Sequence, residues 1–261
     1  MVKLGFCTAF SNLDLLEKAG IDNLETTVYE IMQWSDEQVR ENMKKLGSSS
    51  VRFESCNCLI GGFSLYEDHD WSKTDAYFAR VLPRLAEVGM KKLVFGSGGY
   101  RRVPEGMEME AARGRILEFL TRLSEKMKPY GMTAVIEPLF QKGCNIINTS
   151  AEGAEYVREL GLPNIRLLID YRHFIYEGEH LTAIENYEGI LTHTHIAHPV
   201  TFATPARWDC IDYVGWFRVL DKIGYQGAVV AESSVFGDLL TELEEFRITM
   251  EEAYAAAVGK R

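Results

Sequence analysis

The chain is short of the features that mark a secreted scaffold, a membrane protein or a nucleic-acid binder. Its five cysteines are odd in number and follow no framework spacing, which excludes a disulfide-stapled fold and fits free thiols in a reducing compartment. Cys56 and Cys58, in ESCNCLI, would share one face of a strand, but no second pair completes a zinc site, so they read as small core or pocket-wall residues. Seven prolines and no low-complexity run leave no linker, so residues 1–261 are expected to form one domain. The opening MVKLGFCTAF lacks the basic segment and apolar stretch of a secretory leader, and no window reaches the roughly 18 uninterrupted apolar residues of a membrane span. A cytoplasmic protein with no membrane partner is expected. With 38 acidic against 28 basic residues, the net charge of -10 repels phosphate backbones and argues against nucleic acid as a partner.

What the chain does have is punctuation. An amphipathic segment, a glycine, a few residues and a short apolar run recur at Gly20, Gly47, Gly89, Gly131, Gly161, Gly189 and Gly224. Each glycine stands where a helix needs a left-handed residue to stop, and each precedes a β-rich run at the distance of an αβ loop. With the opening KLGFC these joints make eight strands. The intervening segments are helical in period: Leu13, Leu16 and Ala19 share a face behind Ser11 as cap and Asp14, and Ile116, Leu117, Leu120 and Leu123 repeat the pattern. Pro83, inside FARVLPRLAEV, predicts a kink or a shortened helix. Strict alternation of strand and helix forces parallel strands, and eight of them at this length point to an α/β fold, a closed (β/α)8 TIM barrel. An open doubly wound sheet would want a glycine-rich phosphate turn after an early strand; the one candidate, GSGG at 96–99, follows the fourth strand and lacks the spacing.

In such a barrel the chemistry sits at the carboxyl ends of the strands. Strand five ends VIEP with Glu137, strand six LLIDYRHF with Asp170, strand seven THTHIAH with His195 and strand eight VVAES with Glu232. Neighbouring strands lie about 5 Å apart, so three carboxylates and one imidazole would crowd one rim unless a cation sits among them. That donor set suits an oxygen-seeking divalent ion, manganese first, with magnesium, cobalt or zinc as alternatives.

Taken together, the barrel pattern, IEPL, LIDYRHF, THTHIAH and VVAES resemble the xylose-isomerase-like superfamily of TIM barrels. FGSGGYRRVPEGME and NIINTS are similar to its sugar isomerase and epimerase branch. That superfamily includes ketose 3-epimerases, hydroxypyruvate isomerases, inosose-handling enzymes and apurinic-site endonucleases. The resemblance implies that Glu137, Asp170, His195 and Glu232 bind the metal, that Glu137 and Glu232 are also the acid and base, and that His173 contacts a substrate oxygen. It implies a metal-dependent isomerase or epimerase acting on a carbohydrate through an enediolate, and a dimer or tetramer. Two positions depart from the ketose 3-epimerase pattern: Gly143 replaces a glutamate and Thr201 an arginine, with Arg207 in TPARWD as the substitute substrate-binding arginine. Both groups hold sugar hydroxyls in those enzymes, so a free ketohexose is not the implied substrate.

Three rivals start from the same residues. A lyase acting on 3-keto-glycosides would share the first proton abstraction. An endonuclease-like hydrolase would need histidines at the third and fourth strand ends, where the chain has SCNC and FGSG, and His69 reads as solvated. A non-catalytic sugar-binding barrel would not need the full donor set. His193, on the same strand face as His195, reads as a core histidine with a supporting partner of the site as the alternative, Arg101 and Arg102 as surface arginines with a phosphate site as the alternative, and Trp34, Trp71 and Trp208 as aromatic walls or packing. The run ELEEFRITMEEAY reads as the closing helix.

Overall fold

The computed structural model of the chain describes residues 3–259. Eight strands, β1 Lys3–Cys7, β2 Asn23–Thr27, β3 Arg52–Asn57, β4 Lys92–Phe95, β5 Thr133–Ile136, β6 Ile165–Asp170, β7 Leu191–Ile196 and β8 Ala228–Ala231, pair in sequence order into a closed barrel. Every pairing is parallel, and β8 closes on β1 with Phe6 opposite Ala231. The principal helices are α1 Leu13–Ala19, α2 Asp36–Leu46, α3 Ser72–Glu87, α4 Met109–Met127, α5 Ser150–Leu160, α6 Tyr171–Tyr176, α7 Tyr213–Lys222 and α8 Leu239–Val258. Among the described residues no helix is long and apolar enough to cross a membrane.

Strand alternation divides the side chains between two packing environments. Outward residues such as Phe6, Phe95, Ile136 and Ile196 join one large core with the helices, where Phe95 lies 5.0 Å from Phe119 of α4. Inside the barrel Val94, Val135 and Leu168 form their own small cluster. The parity that sends Val135, Leu168, His193 and Val230 inward sends the residues two further on, Glu137, Asp170, His195 and Glu232, inward one layer higher. Gly5 belongs to this interior, since a Cβ there would come 2.8 Å from Val230 Cγ2.

The joints agree with their sequence signals at Gly20, Gly89, Gly131, Gly161, Gly189 and Gly224, all with φ between 60° and 82°. Gly47 is the exception. It closes α2 in the right-handed region at φ -62°, because the chain continues there into a turn over Ser48 and Ser49. Ser11 is not a cap: it lies within a short 3-10 turn, and α1 starts after Asn12, whose amide donates to Thr8 Oγ1. Pro83 does not shorten α3, which runs on to Glu87. Phe78, Val81, Leu82 and Leu85 bury apolar surface on both sides of it, which offsets a lost hydrogen bond and ring clash costing about 3 kcal/mol.

Candidate metal centre

β5 to β8 bring Glu137, Asp170, His195 and Glu232 together as the sequence predicted, with one ligand atom from each within 4.8 Å of the others. Glu137 leaves its strand with its N–H donating to Phe95 O at 3.2 Å, and Glu232 does the same to Ile196 O at 3.2 Å, so the ladder carries both acids one residue past the strand ends. Asp170 Oδ1 accepts the N–H groups of Arg172 at 2.6 Å and His173 at 3.1 Å, capping α6 and locking its own carboxylate. His195 is wholly buried, and its Nδ1 stands 3.2 Å from Glu137 Oε1 and 3.0 Å from Glu232 Oε2.

The other edge of the imidazole reaches a residue that the strand-end census missed. His195 Nε2–H donates to Glu25 Oε1 at 2.9 Å, and His193 Nε2–H donates to Glu25 Oε2, also at 2.9 Å. Glu25 is completely buried in β2. Burial alone would raise its pKa, but the imidazoles of His195 and His193 hold it well below the usual carboxylate range. Burial also disfavours the His195 imidazolium, yet the Glu25 and Glu232 carboxylates outweigh it and hold His195 well above an ordinary histidine. Burial pushes Glu137 up against the pull of His195, and pushes His193 down. His193 is therefore more than a core residue: it occupies the second oxygen of the carboxylate that fixes His195.

These donors fit a divalent cation. Bond lengths of about 2.0–2.2 Å put adjacent ligands about 3 Å apart and opposite ones about 4.2 Å apart, within the observed spread. The position between Glu137, Glu232 and His195 Nδ1 is also the one where, with no cation, a shared proton would have to sit. A carboxylate on the far nitrogen is the usual partner of a metal-binding imidazole.

Comparison with known proteins places the chain in a family. The family model described as xylose isomerase-like TIM barrel matches residues 13–253. The chain belongs to this family. Among curated relatives, 3-dehydro-D-guloside 4-epimerase of Escherichia coli is 28% identical over 60% of this chain and 62% of its own length. A probable ketose 3-epimerase of Synechocystis is 27% identical over 84% and 76% respectively. The chain thus spans less than two thirds of the first relative. Two solved structures share the fold: the apo 3-keto-D-glucoside 4-epimerase of E. coli, with TM-score 0.80, 20% identity and 97% and 99% of the two chains covered, and a zinc-bound IolI protein, with TM-score 0.74, 20% identity and 99% of each covered.

In this xylose isomerase-like barrel the remaining predicted residues separate. His173 lies beside the cluster, stacked on Phe140 at 4.8 Å, with its Nδ1 buried and without a partner among the described residues. Arg207 is not brought to the cluster: its guanidinium binds Glu245 on α8, with Nε 2.8 Å from Oε1. Nor is Arg101 a surface or phosphate residue. It is fully buried and donates to Phe95 O at 3.1 Å and Glu137 O at 2.7 Å, clipping the ends of β4 and β5 together. Arg102 spends its guanidinium on the carbonyls of Lys142 and Gly143. Cys58 has left the strand at φ 51°, so it shares no strand face with buried Cys56. Trp34 and Trp71 pack in the core, against Phe10 and Phe119, while Trp208 is 71% exposed beside Phe236.

Two further residues hold the acids in place. Asn57, closing β3, donates to Glu232 Oε1 at 2.8 Å. Gly96 leaves room for Glu137: a Cβ at position 96 would fall well inside contact distance of Glu137 Oε2. The signals for both were in the sequence, an amide at one strand end and a glycine after another, but neither is informative without knowing what faces it.

Proposed function

We propose that the protein is a divalent-metal-dependent isomerase or epimerase of a keto sugar or keto polyol, working by proton transfer with Glu137 and Glu232 as acid and base. The observation that carries this is the placement of both carboxylates against His195 Nδ1, at 3.2 and 3.0 Å, from strands three apart around the barrel. The matched relatives are isomerases and epimerases, which supports the same class.

A divalent ion at the four donors, with manganese first among the candidates, supplies Lewis acidity to a carbonyl flanked by a hydroxyl and offsets the charge of the enediolate. The protein does the rest. Glu137, with a side chain only 5% exposed, is the sheltered base that takes the carbon proton; desolvation keeps it from being a mere spectator anion. Glu232, 27% exposed and oriented by Asn57, exchanges protons with water and returns one from the other direction. Return to the same carbon inverts it, and return to the neighbouring carbon isomerises. His173 offers its other ring nitrogen, Nε2, to a substrate oxygen.

A panel of ketoses, keto-inositols, hydroxypyruvate and 3-keto-glycosides, incubated in D₂O, tests this. Carbon-bound deuterium beside the carbonyl is the expected result, at the inverted centre for an epimerase and at the former carbonyl carbon for an isomerase. Aglycone release, with label only through back-exchange, would make it a lyase. Efficient turnover without any label would overturn proton transfer. Chelator treatment is expected to abolish turnover and lower the melting temperature, with Mn²⁺ restoring both, because an ion that binds only the folded state stabilises it by mass action.

A further inference from the structure

Arg172 lies two residues beyond Asp170, at the first turn of α6 on the mouth side of the barrel, and its own N–H is tied to Asp170 Oδ1. Its guanidinium carbon sits 4.7 Å from the ring centroid of Phe140 and 4.8 Å from that of Phe202. Phe140 is also the ring on which His173 stacks, and the His173 N–H donates to Asp170 Oδ1 at 3.1 Å. The chain of contacts therefore runs from Asp170 of the cluster through His173 and Phe140 to the guanidinium.

What sets this arginine apart is a half-buried side chain without a partner, since Arg40, Arg52, Arg80 and Arg218, which also make no side-chain hydrogen bond or ion pair among the described residues, are exposed to water. In an acidic chain other arginines find carboxylates: Arg84 binds Asp36 and Glu87, Arg113 binds Glu159, and Arg247 binds Glu251. Among the described residues the Arg172 side chain makes no hydrogen bond or ion pair. Its Nε is sealed from solvent without a partner, while its two Nη atoms are not sealed. A buried donor left unmet is unfavourable, and stacking between two rings only partly offsets it. The backbone is bent to build this clamp. Phe202 holds a left-handed φ of 61°, kept there by its N–H to His198 O at 3.0 Å and by Ser234 N–H to its own carbonyl at 2.8 Å. Gly143 gives Phe140 its space, since a Cβ there would come 3.2 Å from the ring.

We propose that Arg172 is an anion subsite of the active site, and that the substrate is an acidic keto sugar carrying a carboxylate or a phosphate remote from its reacting carbons. The two rings fix the plane of the guanidinium, and its free edge is suited to two parallel hydrogen bonds to such a group. Arg172's role in turnover rests on the metal cluster being the reaction centre.

The test uses the Mn²⁺-loaded full chain and three sugars that differ at the sixth carbon: D-fructose, D-fructuronate and D-fructose 6-phosphate. By calorimetry, at least one charged member is expected to bind about tenfold more tightly than D-fructose, as a charge-assisted contact requires. Which one does so separates carboxylate from phosphate. In R172M, which keeps an apolar stem between the rings, that preference is expected to fall to within about twofold, and R172K, a charge without the planar fork, should restore only part of it. The subsite is overturned if D-fructose binds as tightly as both charged sugars, if the preference survives in R172M, or if none of the three binds. An equal loss for all three with a lowered melting temperature would mean that Arg172 only packs. An Arg172-dependent preference that is the same with and without Mn²⁺ would leave the subsite standing and sink the metal-centred function instead.

Discussion

The two halves of the barrel contribute in different currencies. β5 to β8 supply the four donors, Glu137, Asp170, His195 and Glu232, whereas β1 to β4 and their loops supply what holds three of them: Glu25 for His195, Asn57 for Glu232, and Gly96 with Arg101 for Glu137. Asp170 is held by its own helix. Closure of the sheet makes the division workable, because side chains pointing inward from opposite strands meet across the interior. A donor can be recognised by its chemistry, while a holder is defined only by what it touches.

Substituting residues in each half measures that contrast, and the donor half should respond most. Glu137→Gln is expected to lower turnover at least about a thousandfold with the fold intact by circular dichroism, since it removes the group proposed as both base and metal ligand. Near wild-type turnover in this variant would remove Glu137 from proton transfer.

The holder half should show its effect first in metal affinity. Glu25→Gln leaves one neutral acceptor where two imidazole N–H groups need one each, and a competing chelator dye should report affinity reduced by about 10- to 100-fold. Unchanged affinity would make Glu25 a structural group only. Gly96→Ala should do less, about tenfold in the same assay, with little change in melting temperature. The atom it displaces is the mobile end of Glu137 rather than backbone, so the carboxylate moves and the strand stays. A collapse of stability in Gly96→Ala would show that the space there serves packing instead.

Arg207→Ala is the smallest expected change. Its guanidinium belongs to an exposed pair with Glu245, and such pairs contribute about 0–1 kcal/mol, so metal affinity and turnover should stay within about twofold. A large loss of turnover would return Arg207 to the substrate.

The same division explains what could be read from residues alone. Glycine punctuation and apolar period located all eight strands, because left-handed stops and buried runs are local properties that neighbours in the chain express. The errors at Ser11 and Gly47 are local too, a 3-10 turn and a serine turn overriding a capping preference, and at Pro83 burial on both flanks carries the helix past a proline that costs about 3 kcal/mol.

The gathering of Glu137, Asp170, His195 and Glu232 was legible because strand ends follow from strand positions, and a carboxylate where an apolar run stops needs a counter-charge. Glu25 was not. It lies mid-strand in NLETT, and only the 2.9 Å contacts to His195 and His193, across 170 and 168 residues, reveal its part. Arg101, Arg172 and Arg207 look alike in the sequence; the fold seals one against carbonyls, clamps one between phenylalanines and spends one on an outer helix. The sequence by itself determined the order of strands and the chemistry at their ends, since both depend on periodicity and solvation along the chain. Only the closed barrel decided which side chains hold the four-residue cluster and what each of these three arginines meets, because those are contacts between residues far apart in the chain.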